Sequence, residues 1–164
     1  MIGLHDGDKT VAGIIDQPYL NERLVATPVS GKLIMQNDVR ALRARACANL
    51  EAATVITTSP DLFNPQESAC WQDIISAAAI VRYGTDCQGY AMVAAGFADA
   101  VIETDLEAYD IQPLVPIVEA AGGVITDWLG GPVREGGQVV AAGDPALHAL
   151  LLERLRPAAQ TAGV

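Results

Sequence analysis

The chain has 164 residues, 51% of them hydrophobic, and a mean hydropathy of +0.26, enough to bury a sizeable core in one domain or little more. A formal charge of −10 and a pI near 4.4, with the ten Lys and Arg scattered, argue against a nucleic-acid surface, which needs clustered cations. No apolar run approaches the ~20 residues of a membrane helix, no charged-then-apolar N-terminal segment signals export, and Cys47, Cys70 and Cys87 form no CxxC pair, pointing to free thiols in a reducing cytoplasm.

In chain order, Met1 to Leu4 reads as a strand, Asp6-Gly7-Asp8 as a turn, Thr10 to Asp16 as a second strand, Asn21-Glu22 as a turn and Arg23 to Thr27 as a third strand. This is an antiparallel meander. Pro28 to Ala52 reads as a bridge, with a strand at Lys32 to Met35 and a turn at Asn37-Asp38. Strands and helices then alternate: strand Thr54 to Thr58, helix Gln66 to Ala78, strand Ile80 to Tyr83, helix Cys87 to Ala95, strand Ala100 to Thr104, helix Ile111 to Ala120, strand Val124 to Thr126, strand Val139 to Ala142 and helix Pro145 to Leu155. The expectation is an α/β fold of the layered α+β kind, with residues 1–52 as a partial meander, 53–156 as an α/β layer and 157–164 as a frayed tail.

Glu103 ends a strand and Asp110 begins a helix, so both carboxylates are expected on the rim where α/β layers place their ligands. Each has a plainer reading: Asp110 as a helix N-cap, Glu103 as a solvated strand end. Gly84-Thr85-Asp86 reads as a turn and a cap for the next helix, Arg82 as an ion-pair partner outside the site, and Asp127 with Trp128 as residues that close a turn and pack a surface. There is no G-x-S-x-G elbow, no phosphate-loop lysine and no H-E-x-x-H, and His5 and His148 stand at opposite ends. Gly130, Gly131, Gly136 and Gly137 read as a hairpin turn. Metal-activated water is the remaining route to hydrolysis.

Tyr109 to Asp127, Y-D-I-Q-P-L-V-P-I-V-E-A-A-G-G-V-I-T-D, resembles the second motif of the inositol monophosphatase family of metal-dependent sugar phosphatases. Asp110 falls on the family's metal-binding aspartate, and Ala121, Gly122 and Gly123 fall on its A-G-G turn. Ala120 occupies the family's glutamate position, so Glu119 inherits no role. Tyr109, D-Q-P-Y at Asp16 to Tyr19, T-T-S-P-D-L-F at Thr57 to Phe63 and R-Y-G-T-D-C at Arg82 to Cys87 are similar to the histidinol-phosphate phosphatase branch.

The resemblance implies the C-terminal part of an α-β-α-β-α sandwich, with Mg2+ held by Asp110, and a small phosphate ester bound by Gly84, Thr85, Asp86 and Glu103. Histidinol phosphate is the implied substrate and inositol 1-phosphate or another small ester the alternative; Asp86 would suit an amine. The family's first metal motif, D-P-(I/L)-D-G-(T/S), has no counterpart: the one Asp-Pro, Asp144-Pro145, lacks the glycine. The implied picture is a truncated, cytoplasmic phosphatase, inactive by itself, with no nucleic-acid or membrane partner and with Ile14, Ile15 and Leu24 exposed on an uncovered meander. Full-length relatives are commonly homodimers. A competing class is a non-catalytic α/β module that binds a partner chain through the meander edge.

Overall fold

The computed structural model describes residues 1–36 and 38–160. Among them, β1 (Ile2–His5), β2 (Thr10–Gln17), β3 (Glu22–Thr27), β4 (Ser30–Met35) and β5 (Asp38–Ala41) form an antiparallel sheet in chain order. Period-two alternation sorts its side chains. Ile15 pairs with Leu24 and Leu24 with Leu33, and this inner row is buried together with Ala26. The outer row sets Ile2 against Ile14 and Ile14 against Val25, and Ile34 against Val39.

Ile15 and Leu24, expected to be exposed, are therefore buried, 1% and 3% accessible, because a helix of the following layer covers the inner face. The bare face is the other one, where Ile2, Leu4 and Val39 are 66%, 62% and 58% accessible and Ile14 is half-buried. The turn expected at Asn37-Asp38 includes Asn37, which lies outside the described residues; Asp38 already belongs to β5 and pairs with Met35.

The rest of the chain builds a second sheet from β6 (Thr54–Thr57), β7 (Ile80–Tyr83), β8 (Ala100–Glu107), β9 (Val124–Asp127) and β10 (Gly136–Ala142), in the order β7-β6-β8-β10-β9. β6 runs parallel to β7 and β8, while β8, β10 and β9 are antiparallel. The helices are α1 (Pro65–Ala77), α2 (Cys87–Ala94), α3 (Ala108–Ile111), α4 (Val115–Ala120) and α5 (Pro145–Leu155). Asn64 and Glu67 cap α1 reciprocally, and Pro65 stands at a first-turn position where its missing N–H costs nothing.

Along β8 and β10, Val101, Val139 and Ala141 join the meander's inner row and the helices α2 and α4 in one core. Ala100, Ile102, Val140 and Ala142 join α1, α5 and Trp128 in a second. The layers are thus sheet, helices, sheet, helices. No helix among the described residues is long and apolar enough to cross a membrane.

The helix expected over Ile111 to Ala120 is interrupted. Pro113 cannot donate to a helical ladder, so α3 ends at Ile111 and α4 starts afresh at Val115, with Pro116 in its first turn. The Pro113 turn is also where the meander docks. A Cβ on Gly13 would lie 2.0 Å from the Pro113 carbonyl oxygen, so only glycine lets β2 approach this closely. Gly122, at φ +84°, closes α4 as expected.

Two further expectations change and one holds. Trp128 packs in the second core, 2% accessible, and donates to the Val139 carbonyl (3.1 Å) rather than lying on a surface. Asp127 does close a turn, its carboxylate accepting from the N–H groups of Leu129 (2.9 Å) and Gly131 (2.7 Å). The expected frayed tail is ordered through Gln160: Arg156–Ala158 forms a 3-10 turn with Ala158 buried, and the Gln160 N–H donates to Gln138 (2.8 Å); residues 161–164 lie outside the described part.

Candidate active site

Beside the C-terminal ends of β6 and β8 and the start of α2 lies a cleft of about 320 Å³. Asp86, Glu103, Asp105 and Asp110 line it together with Thr58, Tyr90 and Cys87. Among the described residues no lysine, arginine or histidine does, but Met1 does, and its α-ammonium acts on Cys87; the four carboxylates outnumber it, so a phosphate ester entering the cleft meets a net negative potential unless a further cation intervenes.

Glu103 is not a solvated strand end. β8 continues to Glu107, and Glu103, 5% accessible, points to the α2 side of the sheet. Its carboxylate accepts from the Thr58 N–H (3.1 Å), the Thr58 hydroxyl and the buried Tyr90 hydroxyl (3.1 Å). Burial raises its pKa above the ordinary carboxylate value against the pull of these donors. The same burial, with the Glu103 charge beside it, drives the Tyr90 phenol well up, so it stays a donor. Sequence reasoning missed Thr58 and Tyr90 as partners of this group. Thr58 lay inside a quoted motif, and Tyr90 comes one helical turn after Cys87, but only the fold brings the two together.

Gly84 takes φ +72° and donates to the Thr58 carbonyl (2.8 Å), tying the turn before α2 to the end of β6. The Thr85 hydroxyl is buried without a partner among the described residues, beside Gly89. Neither Gly84 nor Thr85 lines the cleft; they serve the turn that presents Asp86. Asp86 occupies the N-cap position of α2, yet its side chain makes no cap hydrogen bond, contrary to expectation. Its backbone, at φ 45° and ψ −137°, is in a region that favours glycine, and the carboxylate is left to the cleft.

Asp110 is not the N-cap either. Glu107 holds that position, and Asp110, one turn in, accepts the Glu107 N–H at 3.0 Å through Oδ2. One carboxylate oxygen is thereby engaged by the fold. Among the described residues no three His, Cys, Asp or Glu side chains converge as a metal site. Magnesium keeps its waters unless several oxygens meet on it, so the described residues do not fit that ion as a set; Asp110 could supply one ligand. Arg82, expected to pair with a carboxylate, instead donates to the Val81 carbonyl (2.8 Å), and no ion pair involves it among the described residues.

The profile of the inositol monophosphatase family matches residues 1–160. The chain belongs to this family, whose proteins are metal-dependent phosphatases. It is 38% identical over 164 residues to the chloroplastic bifunctional phosphatase IMPL2 of Arabidopsis thaliana, covering 94% of this chain and 46% of that protein. It is 30% identical over 131 residues to a histidinol-phosphatase of Chlorobaculum parvum, covering 79% of this chain and 49% of that protein. Among solved structures, an inositol monophosphatase from Zymomonas mobilis superposes with a TM-score of 0.84 at 34% identity, over 90% of this chain and 58% of that one. The chain therefore spans about half the length of these curated family members.

Proposed function

We propose that the protein carrying these residues is a Mg2+-dependent phosphomonoesterase for small phosphate esters, with histidinol phosphate preferred. The observation that carries the reading is the meeting of Asp86, Glu103 and Asp110, from three separate elements, on one cleft of a family member. In hydrolysis a water oxygen bonds to phosphorus, the bond from phosphorus to the ester oxygen breaks, and the departing alcohol takes up a proton. The described residues orient the ester for this: Glu103, fixed by Thr58 and Tyr90, accepts a hydrogen bond from a polar group of the leaving alcohol, and Asp86 sets a charge opposite an amine. Holding the metal takes oxygens beyond Asp110. Residues 1–164 by themselves are accordingly expected to release no phosphate above background.

The histidinol reading is supported by the acidic cleft, where four carboxylates face no lysine, arginine or histidine among the described residues, and by the relative named histidinol-phosphatase. Inositol 1-phosphate is the second reading, favoured by the structural likeness to the Zymomonas enzyme. The test is phosphate release by this protein extended to the length of its relatives, from both esters, with and without EDTA. Turnover of histidinol phosphate at least about tenfold faster, and abolished by EDTA, is expected. EDTA-insensitive activity would overturn the metal requirement; equal or faster turnover of inositol 1-phosphate would overturn the preference.

A further inference from the structure

We propose that Asp105 is a specificity-determining residue of this cleft, presented by a β-bulge to bind the ammonium-bearing part of a phosphate-ester substrate; this rests on the phosphatase reading above. The register gives the bulge. Gly137 of β10 pairs with Leu106 and Val139 with Glu103, so the single residue Gln138 faces both Thr104 and Asp105. Asp105 sits in the left-handed region at φ +57°, where an L side chain is strained and glycine is not. As a result four consecutive residues, Glu103 to Leu106, line the cleft, which a regular strand with alternating faces cannot achieve.

The bulge is held from beneath. The Thr104 hydroxyl donates to Glu67 Oε1 (2.9 Å), and the Gln138 amide donates to the same oxygen (2.6 Å) and to the Ala158 carbonyl (2.9 Å). Thr104, Glu67 and Gln138 are all buried. A strained residue over a fully bonded buried network is fixed in place rather than a frayed strand end.

Above the network, Asp105 is exposed, and its side chain has no hydrogen bond or ion pair among the described residues; the same holds for the Asp86 side chain. Two carboxylates with no ion pair among the described residues thus flank the buried Glu103, and the single α-ammonium of Met1 on the same cleft leaves its charge net negative. Because no three acidic groups converge among the described residues, these do not make a cage for one metal ion. They suit instead an extended ligand bringing its own positive charge, an ammonium group that relieves the repulsion on binding. A neutral polyol can donate hydrogen bonds to them but brings no charge to offset theirs.

The test measures binding of L-histidinol and of myo-inositol to the full 164-residue chain by calorimetry or NMR titration. Asp105→Asn keeps a residue that tolerates the left-handed conformation and removes only the charge. Its affinity for L-histidinol is expected to fall by about threefold to fivefold, a loss that added salt makes smaller, with myo-inositol unaffected. Asp105→Gly is expected to lose the same preference and to gain about 2–4 °C in Tm as the strain is released. Either variant retaining the wild-type ratio of affinities overturns the assignment and leaves the proposed function standing. A wild-type chain that does not prefer L-histidinol overturns both.

Discussion

The connector between the two sheets is fastened by an ion pair whose removal has a calculable effect. Asp99 is fully inaccessible and accepts from Arg45 Nε (2.6 Å), Arg45 Nη2 (2.5 Å) and the Thr54 N–H (2.7 Å). The Arg45 side chain is 44% accessible, so its charge is partly screened. In Asp99→Asn one carboxamide oxygen can serve at most part of this set, and its NH2 opposes a guanidinium donor. Charge-assisted bonds contribute about 1.5–3 kcal/mol each; with two lost and solvent screening roughly halving them, the expected cost is about 2 kcal/mol. Arg45→Met should cost more, about 3 kcal/mol, because it strands a buried carboxylate that water cannot reach. Burial alone would raise the Asp99 pKa, but Arg45 and the Thr54 N–H outweigh it and hold it below the ordinary value. A lowered folded pKa gives stability that is complete above the unfolded value of about 3.9 and is lost as pH falls through the folded one. Urea unfolding of wild type and Asp99→Asn at pH 7 and at pH 3 should therefore show a gap that narrows at the lower pH. A gap under about 0.5 kcal/mol at pH 7, or one that widens in acid, would refute the assignment of these bonds as a net stabilising set.

Gly13→Ala forces a methyl to within 2.0 Å of the Pro113 oxygen and 2.9 Å of Pro116 Cγ, and should cost about 2 kcal/mol, or 4–8 °C in Tm; a change under 1 °C would refute the tight docking of β2. His148, 5% accessible and with Nε2 2.9 Å from the Thr126 hydroxyl, has its pKa lowered by burial, so stability is complete above about pH 6.5 and falls as the unfolded chain gains the proton below it. The wild-type urea midpoint should drop between pH 7.5 and 5.5, and that drop should shrink in His148→Asn; an unchanged drop would place the titration elsewhere. The bare outer face bearing Ile2, Leu4 and Val39 should make residues 1–164 self-associate, with a light-scattering mass that rises with concentration and falls in Leu4→Lys with Val39→Lys. A constant monomer mass for wild type would refute it.

The elements that sequence patterning located well are those whose periodicity one partner layer fixes. Ala100, Ile102, Val140 and Ala142 on one side of the mixed sheet, and Val101, Val139 and Ala141 on the other, make continuous apolar runs, as expected of strands buried on both faces. Boundaries slipped where a local rule was overlooked: Pro113 divides α3 from α4, and β8 outruns Glu103 because a bulge, invisible to alternation counting, lets pairing with β10 resume at Leu106. The meander shows a deeper limit. Alternation separates Ile15 and Leu24 from Ile14 and Val25, but which set is covered depends on α4 arriving from about a hundred residues downstream, a contact signalled only by the glycine at position 13.

The candidate site was legible in the same uneven way. Asp86, Glu103 and Asp110 carried a motif, and the fold brings all three to one cleft. Their side-chain roles did not follow from helix and strand position. Asp86 sits where a cap belongs and does not cap, Asp110 is bonded back to an N-cap three residues before it, and Glu103 is buried among donors rather than solvated. In each case the deciding term is a long-range neighbour or a backbone angle: the Thr58 and Tyr90 donors for Glu103, and a positive φ for Asp86 and for Asp105. A local code ranks a carboxylate by what it can do for its own helix. At this cleft the carboxylates least engaged by their own elements, Asp86 and Asp105, are the ones the proposal assigns to a ligand, so a local rule that fails is where a site is to be sought.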